Sequence, residues 1–158
     1  MFRPIRRKAK ERDKAVAVNL LKYSRIGVLA VNGDDGYPYA VPMNFYFDEN
    51  ENKIYFHGAK SGHKFDSLSK DSKACFTVYG EEKIKAEEWA PFVESVVVFG
   101  KCKMLEYGDE ALNKLKTVAA KYYPEEELIA REIASSAKGC QVYELEIEHM
   151  SAKEIQEK

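Results

Sequence analysis

The residues best suited to chemistry follow a predicted strand that ends near His57. Directly after that strand come Ser61, Gly62, His63 and Lys64. Ser61 is a suitable N-cap for a helix, Gly62 would let the backbone approach a ligand closely, and Lys64 adds a cation in the first turn. Backbone N–H groups in that turn have no partner within the helix, and the helix dipole is positive there. The segment therefore predicts a site for an anion such as a phosphate.

His57 is the candidate catalytic residue. Histidine titrates close to neutral pH, so this side chain could donate a proton or a hydrogen bond to a bound molecule. The alternative is a histidine at the end of a strand, with its ring satisfied by a backbone carbonyl group. Because His57, His63 and His149 lack the spacing of metal ligands, no metal site is expected.

Two periodicities in the sequence predict the elements that hold these residues. Alternating residues, many of them β-branched or aromatic, predict six strands at 25–32, 38–48, 53–58, 73–79, 93–106 and 140–148. Helical spacing predicts helices near 10–23, 62–69, 109–122 and 124–139. Short strands with mostly local connections favour an α+β fold, mainly β, built on a six-stranded antiparallel Greek-key barrel. Residues 1–158 contain no repeat and no long linker, which predicts a single domain.

Three features predict where individual strands lie in the barrel. Residues 25–32 are apolar or small on both faces, which favours a central position. Pro42 has no N–H group to donate, so the second strand must be an edge strand or be bulged at this point. Gly100 falls inside the long fifth strand and permits the bend that a closing barrel requires.

Composition and charge narrow the class of protein. The 158 residues are 45% hydrophobic and 32% charged with a net charge of −1, as expected of a globular domain without a basic field for nucleic acid. Residues 1–9 form a basic arm, which we expect to lie over a partner subunit rather than on nucleic acid. The sequence has no apolar run that could cross a bilayer and no signal-peptide pattern, so a cytoplasmic protein without membrane association is expected. The cysteines, Cys75, Cys102 and Cys140, are predicted to be free buried thiols.

Several short motifs occur in a characteristic order along the chain. They are the basic residues 6–8, the strand at 27–30, Gly36-Tyr-Pro-Tyr-Ala-Val-Pro-Met-Asn-Phe45, Ile54-Tyr-Phe-His-Gly58, Gly62-His-Lys64 and Glu94-Ser-Val-Val-Val-Phe-Gly100. In this order and spacing the sequence resembles the pyridoxamine 5′-phosphate oxidase-like FMN-binding split-barrel superfamily. Within it, the sequence is most similar to the nitroimidazole-resistance (Nim) proteins. The resemblance covers most of the chain and implies a split β-barrel of the FMN-binding type.

The resemblance also implies a cofactor and a set of residues that hold it. In the family, FMN lies in a groove between the two subunits of a homodimer. By that likeness, the flavin ring would run along Val41, Pro42, Met43 and Asn44. Phe56 and His57 would lie near the ring or the ribityl chain, and Gly62, His63 and Lys64 would hold the phosphate. Ser95 would reach the flavin from the other subunit.

The sequence departs from the oxidase that names the superfamily. That enzyme has an arginine and a lysine where this chain has Ala40 and Phe45, and it has a C-terminal Arg-Leu-x-Pro segment that this chain lacks. Oxidation of vitamin B6 phosphates is therefore not expected. The expected function is an FMN-dependent oxidoreductase that reduces a small acceptor such as a nitroaromatic compound. The alternatives are a flavin- or haem-binding carrier or sensor without turnover, and a basic-armed nucleic-acid regulator, which the net charge disfavours.

Overall fold

Antiparallel strands and α-helices make up most of the computed structural model, which describes residues 1–156. Within that range the strands are β1 (Glu11–Arg12), β2 (Gly27–Asn32), β3 (Pro38–Met43), β4 (Tyr46–Asp48), β5 (Lys53–Ala59), β6 (Lys73–Tyr79), β7 (Phe92–Leu105) and β8 (Cys140–Gln156). The helices are α1 (Lys14–Tyr23), α2 (His63–Lys70), α3 (Asp109–Tyr122) and α4 (Glu126–Ser136). The helices of this part of the chain are too short or too polar to cross a membrane.

The order of the strands explains why the sheet forms a barrel. The strands pair in the order β3-β2-β6-β7-β8-β5-β4, and β1 adds to β8. The two outermost strands, β3 and β4, are consecutive in the chain and separated only by Asn44 and Phe45. Because two residues span only a few ångströms, the sheet must curl until its two edges nearly meet. The predicted α+β split-barrel class is confirmed, and we call the break at Asn44 and Phe45 the seam.

The number of strands differs from the prediction. Six strands were expected, whereas the described residues form eight. The expected strand at 38–48 divides at the seam into β3, which pairs with β2, and β4, which pairs with β5. The other additional strand, β1, has two residues and pairs with β8, so it is too short to produce a sequence pattern.

The predictions for Pro42 and Gly100 are confirmed. Pro42 lies on the edge strand β3, which is one of the two positions that its missing N–H group allows. The pairing of β7 with β8 shifts register between Phe99 and Gly100. A Cβ atom at Gly100 would lie 2.1 Å from the carbonyl oxygen of Glu146, so the two strands approach each other too closely there for any side chain. Glycine thus permits the irregularity that bends the longest strand pair.

Two apolar clusters hold the elements together. The larger one fills the barrel and includes fully buried aromatic rings of the seam and of three strands, namely Phe45, Phe56, Phe76 and Tyr143. The smaller cluster lies on the outer face of β7 and β8, where Leu115 of α3 packs against Val142. Full burial of a large apolar side chain contributes roughly 1.5–3 kcal/mol, so each cluster fixes its elements firmly. The second cluster places α3 and α4 beside β5, the strand that carries His57.

The basic arm lies against its own chain. Phe2 stacks on His149 with ring centroids 4.8 Å apart, and it stacks on Phe99 at 5.5 Å. Lys10 donates hydrogen bonds to Glu154 and Gln156 of β8. These contacts put the arm on the outer face of β7 and β8, and the expected contact with a partner subunit stays a prediction.

Candidate functional site

The start of α2 is open to an anion. The helix begins at His63, and Gly62 occupies the N-cap position with φ at 100°. The prediction that Ser61 caps this helix is wrong, because no side chain accepts a hydrogen bond from its first turn. A positive φ is easy for glycine and strained for other residues, so the chain can turn sharply here. The first-turn N–H groups therefore remain free to bind an anionic ligand.

Lys64 supplies a positive charge at the same place. Its ammonium group folds back over β5, donates to the carbonyl oxygen of His57 at 3.4 Å, and lies 5.5 Å from the centre of the Tyr143 ring. A Cβ atom at Gly58 would lie 2.5 Å from Lys64 Nζ, so the glycine makes room for the lysine. Within residues 1–156, no carboxylate forms an ion pair with Lys64. A half-buried cation without a counter-charge favours the binding of an anion.

Two further observations describe the surroundings of Lys64. Burial lowers the pKa of Lys64 below its ordinary value. A negative charge bound nearby would raise that pKa again. The hydroxyl group of Tyr143 is buried and has no hydrogen-bond partner within the described residues. Since buried polar groups are nearly always hydrogen-bonded, this hydroxyl indicates that a polar molecule belongs nearby. The residues present therefore fit a phosphate group.

The side chain of His63 points away from this site. Its Nε2 atom accepts a hydrogen bond from the backbone N–H of Asp34 at 3.3 Å, and its ring stacks on Tyr39 with centroids 4.1 Å apart. Both partners belong to the β2–β3 connection and β3. In this position only the backbone N–H of His63 faces the start of α2, so its predicted side-chain contact with a phosphate would require the ring to turn.

His57 and Asn44 line one cavity of about 690 Å³ between the outer face of β5 and the two helices α3 and α4. The polar members of its lining include Arg25, Asn44, His57, Glu132 and Cys140. The apolar members include Leu115, Val118, Leu128, Ile129 and Ile133. A cavity of this size with an apolar wall and a few polar groups is typical of a small-molecule site.

His57 is available for chemistry in this cavity. Its side chain is exposed, and its ring forms no hydrogen bond with residues 1–156, which argues against the alternative of a ring satisfied by a carbonyl group. Local desolvation lowers its pKa, and the positive charge of Lys64 lowers it further. The imidazole is therefore neutral at pH 7 and can donate one hydrogen bond and accept another.

The end of α3 positions the other side of the cavity. Lys121 donates to the carbonyl oxygens of Ser24 and Phe45 at 2.6 and 3.1 Å. The hydroxyl of Tyr122 accepts from the N–H of Phe45 at 2.9 Å and lies 2.7 Å from the carbonyl oxygen of Arg25. These bonds hold the seam next to His57. This role was not evident from the sequence, because both residues also fit the pattern of an ordinary amphipathic helix.

The remaining predicted residues lie in different environments. Val41 and Met43 pack against the barrel core, whereas Pro42 between them is exposed on the outer face. Phe56 is fully buried, so only its backbone can reach a ligand. Ser95 is buried on β7, and its hydroxyl lies 3.5 Å from the carbonyl oxygen of Lys153. Ser95 does not line the cavity of its own chain, and its expected contact with a neighbouring subunit stays a prediction.

The cysteines form no disulfide among the described residues. All three cysteines are free, with Cys102 buried and Cys75 and Cys140 half-buried, and burial raises the pKa of Cys102 to about 12. Groups of three or more His, Cys, Asp or Glu side chains that could hold a metal ion do not occur within residues 1–156.

Solved structures with a similar fold are numerous. A candidate 5-nitroimidazole antibiotic resistance protein of Bacteroides thetaiotaomicron matches with a TM-score of 0.77 and 19% identity, over 92% of this chain and 86% of that chain. The flavocytochrome Anf3 of Azotobacter vinelandii matches with a TM-score of 0.78 and 20% identity, over 95% and 71% of the two chains. A FAD- and haem-binding protein of Mycobacterium smegmatis matches with a TM-score of 0.67 and 18% identity, over 91% and 72%. At these identities the likeness establishes the fold alone.

The family of the chain follows from its sequence. A search of curated proteins found no match. By contrast, the family model described as pyridoxamine 5′-phosphate oxidase matches residues 13–154, which is nearly the whole chain and includes the start of α2, His57 and the seam. The protein therefore belongs to the pyridoxamine 5′-phosphate oxidase family.

Proposed function

We propose that this protein binds FMN and acts as an oxidoreductase on a small acceptor such as a nitroaromatic compound. The observation that carries the proposal is Lys64, a half-buried cation without a carboxylate partner in the described chain, at the uncapped start of α2. A phosphate monoester supplies the negative charge that this arrangement lacks. Ser61, Gly62 and His63 would add backbone contacts to the same phosphate.

The rest of the cofactor would lie along the seam. Lys64 donates to the carbonyl oxygen of His57, and His57 and Asn44 line one cavity. Val41, Pro42 and Met43 precede Asn44 on β3. When bound, FMN supplies hydride and electron chemistry that side chains lack. The chain would orient the ring through backbone groups of β3. The hydrogen bonds that Lys121 and Tyr122 form with the backbone of Phe45 would keep the adjoining end of β3 in place.

The acceptor would occupy the part of the cavity between α3 and α4. Leu115, Val118 and Ile133 form an apolar wall that suits an aromatic ring. The guanidinium of Arg25 lies 4.8 Å from the centre of the Tyr122 ring and forms no ion pair with a carboxylate of residues 1–156. Arg25 would therefore stabilise negative charge on a nitro group, and His57 would donate a hydrogen bond or a proton.

Homodimer formation is part of the proposal. A second cavity, of about 740 Å³, lies beside Pro42 on the outer side of β2 and β6, and Tyr23, Ile26 and Tyr79 at its rim are strongly exposed. Large exposed apolar side chains in one area favour burial by another protein surface. By the family resemblance, a second copy that covers this area would place its own β7, the strand that carries Ser95, near β3 of the first copy.

The names of the similar structures support flavin chemistry in different ways. One neighbour is a candidate nitroimidazole resistance protein, another is a flavocytochrome, and a third binds FAD and haem. The last two favour a second function for this chain, as a flavin- or haem-binding carrier or sensor without turnover.

The visible absorption spectrum of the purified protein tests the proposal directly. We expect flavin bands, release of FMN rather than FAD on denaturation, bleaching by NADH or NADPH, and recovery of the bands on addition of a nitroimidazole. Flavin bands that no reductant and acceptor pair can cycle would favour the carrier or sensor, and a Soret band would favour haem. A colourless protein that does not bind added FMN would refute both functions.

A further inference from the structure

A separate cavity of about 410 Å³ lies between the basic arm and the end of β8. Its lining contains four cationic side chains, Arg6, Arg7, Lys10 and Lys153, and one carboxylate, Glu154. None of its lining residues lines the cavity that contains His57. The two sites are therefore made of different parts of the chain.

Glu154 already pairs with three cations, of which only Lys10 lines the cavity. Its side chain is only 2% exposed, and it accepts hydrogen bonds from Lys10 at 3.1 Å, from Lys85 at 3.1 Å and from Arg12. Burial alone would raise its pKa, but the bonds from Lys10, Lys85 and Arg12 lower it to about 2. One negative charge thus faces three positive charges, and it cannot also neutralise Arg6 and Lys153.

Arg6 and Lys153 complete the excess of positive charge. Both are exposed, and neither forms an ion pair with a carboxylate of residues 1–156. Lys10 is held in place because it also donates to Gln156 at 2.7 Å. Like charges that line one cavity repel one another, and an anion bound among them would reduce that repulsion.

The cavity also offers an apolar wall. Pro4 and Ile5 line it from the arm, and Ile155, which is 49% exposed, lines it from β8. The wall suits the organic part of a ligand, while the cations suit its charged part. We propose that this cavity binds a small phosphorylated organic molecule, at a site separate from the one at α2.

Bound ligand would join the arm to β8. Arg6 and Arg7 belong to the arm, whereas Lys153 belongs to β8, so a phosphate held by both segments links them. The backbone amide hydrogens of the arm would then exchange more slowly with solvent when the ligand is present. This gives a second measurement that does not depend on any variant.

Isothermal titration calorimetry with pyrophosphate and with adenosine 5′-monophosphate tests the site on the full chain. The salt concentration is kept at about 0.1 M, where the Debye length is about 10 Å and distant surface charges contribute little. The double variant Arg6→Gln/Lys153→Gln should weaken binding of both probes by about tenfold or more. Arg3→Gln/Lys103→Gln removes the same charge from exposed residues outside the cavity, and it should change binding by less than about twofold.

Three results would overturn the proposal. The first is equal weakening in both double variants, which would mean a general charge effect. The second is loss of pyrophosphate binding in excess FMN, which would place the anion at α2. The third is binding of a short DNA duplex without binding of either probe, which would favour a nucleic-acid arm. Backbone NMR on the unmodified chain should show shifts at residues 4–10 and 153–156 on addition of pyrophosphate, and their absence would refute the site even if a variant failed to fold.

Discussion

At the scale of single residues, Lys64 offers the most direct test of the proposed cofactor binding. We predict that Lys64→Ala weakens FMN binding by about 1–3 kcal/mol, or roughly 5- to 150-fold, because it removes one charge-assisted contact. Lys70→Ala is the matched control, since Lys70 lies at the other end of α2 and is largely exposed. Fluorescence titration with FMN measures both affinities. Equal affinities in the two variants would mean that the phosphate does not bind at the start of α2.

The lowered pKa of His57 predicts how the rate of nitroaromatic reduction depends on pH. Its pKa is lowered, so a step that needs the protonated imidazole should speed up as pH falls through a midpoint below about 6.5. The rate of nitroaromatic reduction as a function of pH, at saturating reductant, measures this dependence. His57→Gln keeps a hydrogen-bond donor but cannot titrate, and it should remove the pH dependence while leaving FMN affinity within about twofold. An unchanged pH profile in this variant would mean that His57 does not donate the proton.

At the scale of elements, the end of α3 holds the seam. Tyr122→Phe leaves the N–H of Phe45 without its acceptor, and an unpaired, partly buried donor costs about 1–3 kcal/mol. Denaturant unfolding should show that loss in the free energy of unfolding. Tyr123→Phe is the control, because Tyr123 is exposed, and it should change stability by no more than about 0.5 kcal/mol. Equal stabilities of the two variants would show that the Tyr122 hydroxyl does not secure the seam.

Glu154 connects three elements and makes their stability sensitive to acid. Lys10 directly follows the arm, Arg12 belongs to β1, and Lys85 comes from the connection between β6 and β7. Because the pKa of Glu154 is lowered from 4.5 to about 2, the carboxylate stabilises the fold above pH 4.5. That contribution should be lost as pH falls from 4.5 towards 2.

The free energy of unfolding as a function of pH tests the role of Glu154. Glu154→Gln should flatten the curve between pH 4.5 and 2, because the group that titrates differently in the folded chain is gone. Glu148→Gln on the same strand removes a more exposed carboxylate that pairs with Lys101, and it should have little effect. A wild-type curve that is already flat in this range would contradict the ion-pair cluster.

At the scale of the whole molecule, the exposed apolar area around Tyr79 predicts a homodimer. Tyr79→Glu should shift the molecular mass measured by light scattering from two chains towards one, because a buried unpaired carboxylate is costly. The same variant should weaken FMN binding if the cofactor lies between subunits. Tyr107→Glu is the control for oligomeric state, since Tyr107 is similarly exposed but does not line the cavity beside Pro42. A wild-type protein that is monomeric and binds FMN tightly would contradict a site shared by two subunits.

Local features were predictable because their causes are local. Alternation and helical spacing predicted β5, β6, β7 and the helices α2, α3 and α4 close to their observed bounds, whereas α1 begins four residues later than expected, at Lys14. The chemistry of Pro42 and Gly100 depends on their own backbone atoms, so their roles at an edge strand and at an irregular strand pair could also be predicted. The anion site proposed at α2 could be suggested from the sequence for the same reason, since glycine, a helix start and Lys64 are adjacent in the chain.

Contacts between distant segments were not predictable in this way. The division of the expected second strand at the seam depends on β3 and β4 pairing with different strands, and no local pattern specifies partners. The bonds that Tyr122 forms at the seam join residues 77 and 97 positions apart, and Lys10 reaches Glu154 across 144 positions. Sequence patterns therefore indicated which residues could bind an anion. Only the closing of the barrel decided that His57, Asn44 and Arg25 share one cavity and that Ser95 lies elsewhere, because burial and charge pairing arise from the packed chain as a whole.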